Sequence, residues 1–209
     1  MTHTVVTRAI STGAAPSPSA RLIDTVRVAD LIRQLLVELG EDPGREGLAG
    51  TPDRVAAWWR SFLSADDCAQ ATCFTESRLS DQLVVVGGMS VWSLCEHHLL
   101  PMNLQVSAGY VPDGEVVGLS KFGRIARHHA GRLQVQERFT RQVTEELTSL
   151  IGREDVAVAV RGTHLCMSMR GVRMESARTT SMRAGGRFRT DAVLSQQFLT
   201  VAAGQWGMS

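Results

Sequence analysis

Two short stretches far apart in the chain constrain its fold more than any other feature, because their chemistry makes sense only if the fold brings them together. They are Leu94-Cys95-Glu96-His97-His98-Leu99-Leu100-Pro101 and His164-Leu165-Cys166-Met167-Ser168-Met169-Arg170. Cys95 and His98 are spaced so that a turn aims a thiolate and an imidazole at one point, and Cys166 can supply a third ligand from a distant strand. Three protein ligands leave a fourth position open. A structural zinc is normally closed by four protein ligands, whereas a catalytic zinc keeps a water whose pKa falls to about 7.

Side chains on a strand alternate faces, so the second stretch read as a strand puts His164, Cys166, Ser168 and Arg170 on one face. Leu165, Met167 and Met169 fall on the other, a core face. The polar face then carries a proton carrier, a ligand, a hydroxyl and a cation. The plainer alternative makes His164 and Arg170 surface residues and the two cysteines small core hydrophobes.

A chain of 209 residues suits one domain with an extension. Its net charge is +1 with both signs interspersed, which offers no bulk attraction to nucleic acid or to a membrane surface. No apolar run reaches the length of a membrane span. Four cysteines at irregular spacing, with no apolar leader, indicate a cytoplasmic protein with reduced thiols. Cys68 and Cys73 receive no role.

Residues 1–20, rich in Thr, Ala, Ser and Pro, read as a mobile tail. Residues 21–64 read as a helical segment. Its first helix carries Leu22, Val26, Leu31, Ile32, Leu35, Leu36 and Leu39 and stops at Gly40; its second opens at Thr51-Pro52-Asp53, with Thr51 as the cap. Residues 65–202 read as the main domain and 203–209 as a C-terminal tail. Within the domain, Leu83 to Val86 and Ser90 to Leu94 are strand-like, and Leu104 to Tyr110 alternates toward a turn at Pro112-Asp113-Gly114. Glu115 to Leu119 then reads as the second strand of a hairpin. Ser120, Lys121 and Arg124 open a helix as an anion cradle, with His128 and His129 further along it. Gln136 and Glu137 open another helix, ending at Gly152, and a carboxylate there can accept paired N–H donors from a planar ligand. Gly185-Gly186 and Val193 to Leu199 suggest a final hairpin. The order gives an α+β fold, an antiparallel sheet with helices on one face, preceded by an N-terminal helical extension.

Cys-Glu-His-His-Leu-Leu-Pro, Gly-Leu-Ser-Lys-x-x-Arg, Gln-Val-Gln-Glu-Arg and His-x-Cys-x-x-x-Arg-Gly, in this order, resemble the motifs of GTP cyclohydrolase I. The likeness runs from Gly40-Glu41-Asp42-Pro43 to Phe198-Leu199. It implies the T-fold, a homodecamer of two pentameric rings, active sites shared between subunits, GTP as substrate, and Zn2+ held by Cys95, His98 and Cys166. It further implies His97 and His164 as catalytic histidines, with Ser120 assisting proton transfer. Glu137 would recognise guanine with Gln136 beside it. Ser120, Lys121, Arg124 and Arg170 would contact the triphosphate, and Arg54 would reach in from a neighbouring subunit. The implied reaction opens the imidazole ring at C8, releases formate, and recloses the rearranged product as 7,8-dihydroneopterin triphosphate, the first step of pterin or folate-type biosynthesis. The other reading is a non-catalytic homologue that keeps zinc and binds a purine nucleotide. Met102-Asn103-Leu104 and Ser195-Gln196-Gln197 depart from the family pattern and bear on packing, ring stability or regulation rather than on the reaction.

Overall fold

The computed structural model describes residues 5–9, 23–64, 70–80 and 82–206, with the strands at 5–9 and 70–80 described by their backbone. In chain order the elements are β1 (Val5–Ala9), α1 (Thr25–Glu38), α2 (Thr51–Leu63), β2 (Gln70–Ser80), β3 (Val84–Cys95), β4 (Pro101–Tyr110) and β5 (Asp113–Val117). There follow α3 (Ser120–Ala130), β6 (Leu133–Gln134), α4 (Gln136–Ile151), β7 (Val156–His164), α5 (Leu165–Ser168), β8 (Thr179–Ala184), α6 (Arg187–Thr190) and α7 (Ala192–Gln205). They form two units, Gly13–Ala65 and the remainder. Apart from β1, the tail expected over residues 1–20 lies outside the described residues, as do the side chains of Cys68 and Cys73.

In the helical unit, the Asp24 carboxylate accepts from Arg27 N at 3.0 Å and caps α1, which gives way to Gly40 at φ +81°. The cap of α2 differs from expectation. Gly50 holds that position, and Thr51 is already helical; its hydroxyl accepts from Arg54 Nη2 at 2.8 Å instead of from the backbone. Pro52 in the first turn forfeits nothing, since its missing N–H would have had no helical partner. Trp58 stacks on Phe62 with ring centroids 5.2 Å apart, and Arg33 spans from α1 to Asp53 at 3.6 Å. The apolar stripe of α1 is wider than one helix can cover, and Leu31, Leu35 and Leu39 stay exposed.

The larger unit is α+β, as the order of elements predicts. Its main sheet runs β6-β3-β4-β7-β8, antiparallel except for the short parallel pair β3–β6; a second sheet runs β1-β2-β5. The two runs expected around Leu83 to Leu94 are one strand, β3, bulged between Val86 and Met89 where Gly88 takes φ +69°. β5 does not turn back onto β4 as a hairpin. It pairs with β2, and Tyr110 Oη accepts from Val117 N at 3.3 Å across the turn. On one face of the main sheet Leu104, Val106, Ala108, Val158 and Val160 bury against Phe122 and Ile125 of α3 and Phe139, Val143 and Leu147 of α4.

The terminal hairpin expected over Gly185–Leu199 is instead a short turn of helix and α7. The Asp191 carboxylate accepts from Val193 N and Leu194 N at 2.9 and 3.0 Å, which starts a helix. Leu194, Phe198 and Ala202 then recur every fourth residue and cover the opposite face of the sheet, over Ala157 and Ala159. A Cβ at Gly109 would lie 2.7 Å from Phe198 Cδ2, so this strand position must be bare for α7 to pack.

Candidate metal centre

β3 ends at Cys95, and the chain must reverse within five residues to enter β4 at Pro101. Cys95 O accepts from His98 N at 3.3 Å and from Leu99 N at 2.8 Å, while Cys95 N donates to Leu100 O at 2.9 Å. Leu99 takes φ +54°, an uncommon conformation for a bulky residue and one that the tightness of this turn imposes. The turn brings Cys95 Sγ and His98 Nδ1 to 3.5 Å.

β7 lies beside β4, with His164 opposite Met102, and so delivers the second stretch to the same end of the sheet. The strand does not continue as its alternation suggests. It ends at His164, and Leu165–Ser168 form a single helical turn, since Ser168 Oγ and Met169 N bond back to His164 O and Leu165 O at 3.3 and 2.8 Å. Cys166 is therefore presented from a helical turn, and Ser168 and Arg170 are not its neighbours on a strand face.

The donor atoms of Cys95, His98 and Cys166 all lie within 4.8 Å of one another. Ligands at zinc bond lengths on a tetrahedron stand about 3.5–3.8 Å apart, so this set fits a metal ion with little movement. Its chemistry also fits. Two sulfurs and an imidazole are donor types that zinc takes; burial pushes the Cys166 thiol up and the neighbouring Cys95 adds to the effect, while the Arg170 charge acts in the opposite direction. Among the described residues no fourth His, Cys, Asp or Glu joins the group. Arg170 Nη1 reaches His98 Nε2, which brings a guanidinium to the edge of the centre.

His164 is held by Gln136. The Gln136 carboxamide is nearly inaccessible, at 1% exposure, and its Nε2 faces three acceptors: Val160 O at 3.0 Å, Thr179 O at 3.1 Å and Ser181 Oγ at 3.0 Å. Its Oε1 must then be the atom that meets His164 Nε2 at 2.8 Å, so that nitrogen carries the proton and Nδ1 is left with a lone pair. Burial lowers the pKa of His164, opposed in part by the charge of Glu137. A Cβ at Gly162 would lie 2.1 Å from Gln136 Oε1 and 2.8 Å from His164 Nε2, so the pair needs a glycine beneath it.

The other predicted residues are spread around this core. His97 is exposed, with Nε2 3.9 Å from Glu96 Oε1. Glu137 is exposed on the first turn of α4, beside buried Gln136. Ser120, Lys121 and Arg124 share the first turns of α3, Lys121 buried and the other two exposed, and among the described residues none hydrogen-bonds to the cysteines or histidines of the centre. Arg54 belongs to the helical unit, where its partner is Thr51. Sequence reasoning missed Glu96, Arg138 and Gly162. Glu96 sits between ligands and is tied to Arg138; its position inside Cys-Glu-His-His was the available signal.

The family model described as GTP cyclohydrolase I matches residues 28–203 of this chain. A GTP cyclohydrolase 1 from Hyperthermus butylicus is 43% identical over 176 residues, covering 84% of this chain and 89% of that protein. A GTP cyclohydrolase 1 from a Sulfurihydrogenibium species is 41% identical over 180 residues, covering 86% and 96%. One from Mycobacterium marinum is 41% identical over 180 residues, covering 83% and 88%.

Proposed function

This chain belongs to the GTP cyclohydrolase I family and is an enzyme, and from that premise we propose that it hydrolyses the imidazole ring of GTP at C8 with Zn2+ held by Cys95, His98 and Cys166. The overall change is GTP plus water to formate and 7,8-dihydroneopterin triphosphate. The observation that carries this reading is the convergence of three metal donors from distant stretches, with an oriented histidine two residues from one of them. Zinc in such a site supplies a water that ionises near neutral pH and a Lewis acid for the ring.

The chain's own groups divide the remaining work. His164, with its proton fixed on Nε2 by Gln136, is neutral in the free protein and offers Nδ1 as a base. His97, exposed beside the Glu96 carboxylate, serves as the acid toward the purine N7. Ser120 assists the later proton transfers on the ribose. Glu137 accepts from the N1–H and 2-amino group of guanine, a pair of donors that adenine lacks. Gln136, its carboxamide already committed to protein partners, contributes to the purine pocket by holding His164 and the first turn of α4. Lys121, Arg124 and Arg170, with Ser120, receive the triphosphate, and Arg54 reaches it from a neighbouring subunit. A homodecamer of T-fold subunits accounts for that sharing and for the exposed apolar side chains of α1.

Incubation with GTP and zinc tests the reading. Stoichiometric formate and a pterin fluorescent after oxidation are expected. Tight GTP binding without either product would leave the non-catalytic nucleotide-binding homologue instead.

A further inference from the structure

One charged pair in the larger unit belongs neither to the three donors nor to the expected substrate contacts, yet touches the scaffolding of both. Glu96 lies between Cys95 and His97 on the ligand turn, and Arg138 lies just after Gln136 and Glu137 on the first turn of α4. Arg138 Nη2 donates to Glu96 Oε2 and, at 3.2 Å, to Leu133 O; its Nε donates to Gln134 Oε1 at 2.9 Å. One guanidinium carried on α4 thus binds the ligand turn and the short strand β6 at once.

The partners of Arg138 are themselves fixed. Gln134 is fully buried, and its Nε2 donates to His129 O at 2.9 Å and to Gln142 Oε1 at 2.8 Å. Its backbone O accepts from Glu96 N at 3.0 Å, continuing the parallel pairing of Cys95 with Gln134. The other oxygen of Glu96 points toward His97, 3.9 Å from Nε2. A bare parallel contact of two residues would be a weak way to hold a turn; a multiply hydrogen-bonded guanidinium makes the register definite.

We infer that Glu96 and Arg138 are positioning residues: they lock the Cys95–His98 turn to the first turn of α4 and so set the distance between the metal centre and the carboxylate of Glu137. Neither touches substrate. The functional consequence rests on the proposed reaction, in which the purine is held at one end by Glu137 while its C8 must lie at the metal. A displacement on the order of 1 Å between those two ends costs up to about 100-fold in rate while leaving each end able to bind.

The test uses the full-length protein. Arg138→Met removes all three bonds, Glu96→Leu removes the carboxylate, and Glu96→Gln keeps an acceptor. For Arg138→Met, metal stoichiometry is expected to stay at the wild-type level and KM for GTP to change little, while kcat falls about 10- to 100-fold. Glu96→Leu should do the same, the double variant should be no worse than either single, and Glu96→Gln should recover most of the loss. A second readout does not depend on turnover: in the cobalt-substituted protein, the visible ligand-field bands should shift in Arg138→Met and Glu96→Leu and return in Glu96→Gln. If the wild type fails to release formate from GTP, the proposed reaction falls, and the cobalt spectra still decide the positioning role. Unchanged bands, additive losses in the double variant, or kcat within about twofold of wild type in a folded, metal-loaded Arg138→Met would overturn it.

Discussion

The imidazole of His164 can sit where it does because Gly162 has no side chain. Gly162→Ala places a methyl into the space of Gln136 Oε1, and the histidine must swing away with the amide. The expected outcome is at least a tenfold loss of formate release, roughly 1–3 kcal/mol of stability lost in urea titration, and an unchanged metal content. Cys166→Ala acts differently, removing metal and activity together; full metal occupancy in that variant would show the donor set to be wrong. Glu137→Ala should keep the metal and lose the preference for GTP over ATP, by as much as about 10⁴-fold, read from the ratio of kcat/KM values. The three donors were legible in the sequence because cysteine and histidine are chemically distinctive and two of them lie within one turn. Gln136 was legible only as a neighbour of Glu137. Its partners are the backbone oxygens of Val160 and Thr179, which meet only when β7 and β8 pair, and no local pattern encodes that register.

At the level of elements, long periodic stretches read true: α1 stops just before Gly40 and α4 at Gly152, which takes φ +72°, and α3 opens at Ser120 as expected. Errors came where short apolar runs fit either period. Val193 to Leu199, apolar at both ends, reads as a strand beside Gly185-Gly186, but the Asp191 side chain satisfies two backbone donors and starts a helix whose Leu194 and Phe198 share one buried face. Asp191→Ala should lower stability by about 1 kcal/mol, seen as a lower urea midpoint with an unchanged slope. The stretch after His164 failed for a related reason. Alternation from Leu165 to Arg170 is genuine, yet a helical turn needs only a few residues, and presenting Cys166 toward Cys95 selects it.

For the molecule as a whole, the proposed self-association is the feature least visible in a single chain, because an exposed apolar residue looks alike whether solvent or a second copy covers it. In sedimentation velocity the protein is expected to run as one large species near ten chains, and Leu31→Glu with Leu35→Glu on α1 should reduce it to smaller forms. Metal removal has its own signature. With Cys95 and Cys166 sulfurs this close, chelated protein left in air should lose two titratable thiols, and reductant should restore both thiols and metal uptake.

The donors also appear at different times during synthesis. Cys95 and His98 leave the ribosome well before Cys166, and β7 must find β4 before the last sulfur can arrive. A nascent chain therefore offers the cell's metal pool at most a weak bidentate grip until the sheet is nearly assembled. On the proposed metal assignment loading would be a late checkpoint: only polypeptide that has already folded would be fit to take up an ion, and the ion would then hold that fold in place by mass action.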